Sequence, residues 1–130
     1  MAGISKGAAG EVIAARFLRE HGYDIVAVNA RSRLGEVDII ATDDTVIAFV
    51  EVKTRSEFDR LEAPREAVTR EKQEKIKKTA ALYLQHHPSA LQPRFDVIEV
   101  ITTENGAPLQ AKDVHHLKNA FETGDLRAAF

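Results

Sequence analysis

The chain has 130 residues, 44% hydrophobic and 29% charged, with a formal net charge of −2 and no cysteine. This is the size and mix of one compact globular domain that buries a core without staples, and the missing cysteine excludes disulfides and thiolate metal sites. No stretch approaches the ~20 apolar residues needed to span a bilayer, and the opening MAGISKGAAGEV lacks the basic-then-apolar order of a secretion signal, so a cytoplasmic protein with no membrane partner is expected.

Residues 6–21, KGAAGEVIAARFLREH, are predicted as a helix. Ala8, Ala15 and Leu18 share a face with Ile13 and Phe17 beside it, and Gly22 is the expected stop. Residues 23–29, YDIVAVN, read as a strand. Two more follow, EVDIIA (36–41) and TVIAFVEVK (45–53), around the turn-like Thr42-Asp43-Asp44. The second is apolar on both faces until Glu51, which predicts a central strand.

After the loop SEFDRLEAP, a helix is predicted from about Pro64 or Thr69 to His87, with Ile76, Ala80, Tyr83 and Leu84 as its apolar stripe and Pro88 beyond its end. RFDVIEVI (94–101) reads as a strand, Asn105-Gly106 as a turn, and a short strand is expected near Val114–Leu117. The core should run from about residue 7 to 121, with a poorly ordered tail over 122–130. The resulting order, αβββαββ, predicts a single α/β domain with a mixed β-sheet flanked by helices.

The chemistry concentrates between Gly35 and Lys53. Strand side chains alternate, so Glu51 and Lys53 share a face, ~6.6 Å apart along the strand. A hairpin of 36–41 with 45–53 would bring Asp38 across from the later end of its partner, adding a second carboxylate. Charges closing so apolar a strand are costly unless paired or bound to an ion. Two carboxylates about 4 Å apart repel by roughly 4 kcal/mol at an effective dielectric near 20. Protonation, a salt bridge or a hard divalent cation relieves that repulsion. Mg²⁺ or Mn²⁺ would polarise a phosphodiester and acidify an attacking water, leaving Lys53 to orient the water, deprotonate it or offset phosphate charge. The alternative is a buried Glu51–Lys53 ion pair, with Asp38 capping a loop.

Several neighbours bear on the choice. Glu11 lies in line with Ala8, Ala15 and Leu18 on the first helix; either it belongs to the site or the macrodipole favours it near a helix start. Lys72 and Gln73 extend the core-facing stripe of the second helix, reaching either the site or solvent. Arg31, Arg33 and Arg55, with the basic run Arg70, Lys72, Lys75, Lys77 and Lys78, concentrate positive charge that a phosphate backbone would feel. The adjacent pairs His86-His87 and His115-His116 point apart and make no zinc site, so surface histidines are expected. No nucleophile elbow, phosphate-binding glycine loop or zinc-finger spacing is present.

GEVDII followed by FVEVKTR resembles the (P)D-(D/E)xK motif of restriction-endonuclease-like nucleases. More closely, GAAGEVIAARFL, NARSRLGEVDII, FVEVKTR, PREAVTREKQEKI, AALYL, RFDVIEV and the late NAF together resemble the YraN family of predicted endonucleases, relatives of archaeal Holliday-junction resolvases. The resemblance covers nearly everything from Gly7 to Phe121. It implies a restriction-endonuclease-like fold, Asp38 and Glu51 as metal ligands, Lys53 as the catalytic lysine and Glu11 as a further site carboxylate. It also implies Lys72 and Gln73 as polar groups from the second helix, Mg²⁺ or Mn²⁺ as cofactor, branched or structured DNA as substrate and a possible homodimer. Glu36 matches the family pattern without an assigned role. RLEAP, before PREAV, departs from the glycine expected there. A module that keeps the fold and binds nucleic acid or a partner without cutting is the rival reading, and an RNA or single-strand nuclease is a third.

Overall fold

The computed structural model describes residues 6–56, 68–103 and 111–123. Helix α1 (Lys6–Glu20) is followed by strands β1 (Asp24–Ser32), β2 (Gly35–Thr42) and β3 (Val46–Ser56), helix α2 (Arg70–His86), and strands β4 (Gln92–Thr102) and β5 (Ala111–Phe121). The strands form one five-stranded sheet in the order β1-β2-β3-β4-β5. Only β3 and β4 are parallel, and the helix between them makes the crossover that a parallel pair requires. The result is a single α/β domain with a mixed sheet, consistent with a restriction-endonuclease-like fold, and β3 is central as its two-sided apolar sequence predicts.

Each helix covers one face of the sheet. Ala14, Ala15 and Leu18 of α1 pack with Ile39, Ala41, Ala48, Val50, Ile98 and Val100. Ile76, Ala80, Ala81 and Leu84 of α2 pack with Val37, Ile40, Ile47, Phe49, Phe95 and Val97 on the other face. Consecutive residues of β3 and β4 thus enter opposite cores, which is why both strands are written almost wholly in apolar residues.

The stripe of α1 differs from the predicted one. Ala8 is exposed, and Gly10 is buried instead. A Cβ at Gly10 would lie 1.9 Å from Thr54 Oγ1, so the helix backbone sits directly on β3. Gly10→Ala should therefore cost roughly 1–3 kcal/mol of stability through overpacking. Chemical denaturation should show that loss largely recovered when Thr54→Ala is added; no recovery would place the strain elsewhere. At the other end of α1, Gly22 adopts φ +90°, Tyr23 N donates to Leu18 O at 3.0 Å and Gly22 N to Arg19 O at 3.2 Å. These two bonds satisfy end carbonyls, and Leu18 and Tyr23 bury together beneath them.

Helix α2 starts at Arg70, where the Thr69 side chain accepts from Lys72 N; the alternative start at Pro64, the RLEAP segment, the Asn105-Gly106 turn and the tail beyond residue 123 lie outside the described residues. The final strand is much longer than the short one predicted, because Leu117 through Val114 pair with Val97 through Val100 and Phe121 reaches Phe95. Its histidines are not both on the surface. The His116 side chain is only 7% exposed and bonds Asp96 at 2.8 Å.

Candidate active site

The β2–β3 ladder pairs Ile39 with Val50, Ile40 with Phe49, Ala41 with Ala48 and Thr42 with Ile47. Beyond Ile39 and Val50 the pairing ends, and Asp38 enters the fork, where its Oδ2 accepts a 2.8 Å hydrogen bond from Val52 N. On the other side of β2, Val28 pairs with Ile39 and Ala30 with Val37. Asn29 between them takes a left-handed conformation at φ 49°. Asparagine tolerates that region better than most residues.

Glu51 and Lys53 follow on β3. Glu51 is only 3% exposed and its ion pair is with Lys72 of α2, Oε1 to Nζ at 2.5 Å, not with Lys53. Burial, then the charge of the neighbouring Glu51, push the Asp38 pKa from 3.8 to about 7. The Asp38 carboxyl is thereby held protonated towards neutral pH. Glu11 reaches the same region from α1, where it bonds the Asn29 side chain; burial, then Glu36 and next Glu51, raise its pKa. Burial and then neighbouring Lys72 lower the pKa of Lys53. Burial alone would lower Lys72 too, but its hydrogen bond and charge contact with Glu51 raise it.

Of the predicted site residues, Glu11, Asp38, Glu51, Lys53 and Lys72 come together around the fork. Gln73 does not join them by hydrogen bonding, since its side-chain nitrogen donates to Val68 O at 2.8 Å at the start of its own helix. Arg55 lies against Glu99 at 3.1 Å with its side chain only 11% exposed, an ion pair inside the fold rather than an offered phosphate contact. Arg31 and Arg33 are exposed, and Arg31 lies 3.4 Å from Glu36. Within the basic run, Lys75 pairs with Glu71 and Lys77 with Glu74, so part of its charge is answered on the helix surface.

Asn29 was missed by sequence reasoning, although an asparagine inside the apolar YDIVAVN is the kind of residue a left-handed position favours. Glu36 gains a place as the carboxylate between Arg31 and Glu11.

A hard divalent cation suits this donor set. Asp38 and Glu51 offer carboxylate oxygens beside one another, where a cation would offset both the burial of charge and the repulsion between them. Among the described residues no three acidic or histidine side chains converge tightly enough to enclose an ion. Two carboxylates with the rest of the sphere left to water and substrate oxygen is the arrangement Mg²⁺ commonly takes.

A family profile described as "Uncharacterised protein family UPF0102" matches residues 10–100, the span holding all five clustered residues. The chain is 52% identical over 95 residues to a UPF0102 protein of Symbiobacterium thermophilum, covering 72% of this chain and 80% of that one. It is 46% identical over 116 residues to one from Nocardia farcinica, covering 88% and 87%. With one from Acetivibrio thermocellus the identity is 44% over 117 residues, covering 88% and 89%.

Proposed function

This chain belongs to the uncharacterised protein family UPF0102, the YraN family, and we propose that it is a metal-dependent DNA endonuclease hydrolysing phosphodiester bonds in structured or branched DNA. The observation that carries this reading is the meeting of Asp38, Glu51 and Lys53 where β2 and β3 part. Asp38 and Glu51 would hold Mg²⁺ or Mn²⁺, which when bound supplies Lewis-acid polarisation of the phosphodiester and a more acidic water.

The chain's own groups do the rest. Val52 N–H holds the Asp38 carboxyl in the fork. The lowered pKa of Lys53 brings its amine closer to the range in which it takes a proton from an attacking water, and in its charged form it offsets phosphate charge. Lys72 balances Glu51 while its side chain remains 44% exposed, leaving the ammonium within reach of a phosphate laid over the site. Glu11 and Asn29 border the fork from α1 and β1 and would position the water.

The test is cleavage of labelled four-way junction, flap, duplex and single-stranded DNA with Mg²⁺ or Mn²⁺. Wild type should cut a branched form, and Lys53→Ala should slow it by roughly two to four orders of magnitude without changing the melting temperature by more than a few degrees. Purified protein that cuts no substrate with either metal would overturn the endonuclease reading in favour of a binding module.

A further inference from the structure

A cavity of about 380 Å³ opens between the end of β1 and the C-terminal half of α2, where Arg31 and Arg33 face Leu82, Tyr83, His86 and His87. We infer that this cavity takes an unpaired nucleobase of the DNA strand, stacked against the Tyr83–His87 rings, with Arg31 and Arg33 on the flanking phosphates. The inference rests on the nuclease reading and names the strand feature recognised beside the cleavage site.

Size and chemistry both favour such an occupant. The volume lies in the range of small-ligand pockets. The Tyr83 and His87 rings stack with centroids 4.4 Å apart and an interplanar angle of 20°, and Tyr83 is braced from behind by an edge contact with Phe49 at 6.1 Å. A held aromatic plane is what unpaired bases stack on, histidine included.

The histidines also have defined hydrogen-bonding capacity. Nδ1 of His86 lies 3.0 Å from Leu82 O, and Nδ1 of His87 lies 3.3 Å from Tyr83 O. A carbonyl only accepts, so each Nδ1 carries the proton and each Nε2 of a neutral ring is left as an acceptor, suited to a base amino group. The two arginines are exposed at the mouth, where planar guanidinium groups match phosphate oxygens.

Through Arg31 the cavity is also linked electrostatically to the proposed active site. Arg31 pairs with Glu36 and acts on the Glu11 charge. Lys72 and Tyr83 are eleven positions apart on α2, about 16 Å along the axis. That is roughly five stacked base steps at 3.4 Å. A strand laid along α2 would thus place an extruded base in the cavity while a nearby phosphate lies at the fork.

The test is fluorescence anisotropy with the full chain in a chelator, comparing a labelled duplex with the same duplex carrying a short bulge of unpaired adenines. Wild type should bind the bulged form more tightly. His87→Ala should weaken bulge binding about tenfold and leave duplex binding unchanged; Arg33→Ala should weaken both. If His87→Ala melts early, His87→Asn replaces it in the same comparison. Equal affinity of wild type for both DNAs, or undiminished bulge binding by the His87 variant, would overturn the cavity assignment and leave the nuclease reading standing. Failure of wild type to bind either DNA would overturn both.

Discussion

Asp38→Asn is expected to remove metal-dependent cleavage and to make the protein more stable at alkaline pH. The amide keeps an oxygen to accept from Val52 N–H, so the fork should hold its shape. What disappears is one of the two carboxylates that meet at the fork, half-buried Asp38 beside buried Glu51. Losing a group that stabilises charge at a reacting centre typically costs two to three orders of magnitude in rate, and here the metal's foothold would go with it. Added Mg²⁺ should raise the melting temperature of wild type by mass action and leave the variant unmoved. An equal shift in both proteins would place the ion elsewhere.

The stability effect has a definite sign. In the fold the Asp38 pKa is pushed up to about 7 from 3.8, by burial and then by Glu51. A group with a raised folded pKa favours the fold most below its unfolded pKa, and that contribution is lost as pH rises towards the folded value. Wild type should therefore lose stability from this group between about pH 4 and pH 7, by on the order of a few kcal/mol. The asparagine variant has no such loss. Its advantage in denaturant should be larger at pH 8 than at pH 5; an advantage independent of pH would contradict the retained proton. A site that is repulsive without its cation is an expected conflict between stability and activity.

The largest stability loss is expected far from that fork, at Asp96. This carboxylate is 0% exposed and takes two hydrogen bonds from Arg94, at 2.8 and 2.7 Å, one from His116 at 2.8 Å and one from Asn119 N at 3.0 Å. Arg94 in turn donates to the Tyr23 hydroxyl at 2.7 Å, tying β4 to the end of α1. Burial by itself would raise the Asp96 pKa, but the bonds from His116 and Arg94 outweigh it and hold the carboxylate below its usual range.

Asp96→Ala strands the arginine and the histidine without their shared partner, and breaking such a buried pair typically costs about 3–5 kcal/mol. Urea unfolding should show a midpoint lowered with little change in slope. A loss under about 1 kcal/mol would mean that water replaces the carboxylate at no cost. Because the folded pKa of Asp96 is lowered, its contribution is present above about pH 4 and is lost as pH falls through the folded value. The difference between wild type and variant should therefore narrow in acid.

The same contrast separates what local sequence encodes from what the assembled fold decides. Alternation and helical period placed the two helices and the central strand, because burial of one stripe or both faces leaves a local imprint. They also put Glu51 and Lys53 on one face, and the spacing of motifs across the chain carried the family. Ion-pair partners left no such imprint. Lys72 takes Glu51 only because the crossover lays the start of α2 beside β3, and Arg55 meets Glu99 only through the parallel register of β3 with β4. Gln73 turned to Val68 instead of the site, and the His116 side chain was drawn inward onto Asp96. The trapped proton of Asp38 depends on where the β2–β3 ladder stops. Composition and periodicity mark which helix stripes and strand faces turn inward; long-range register and helix docking settle which charges then have to face one another.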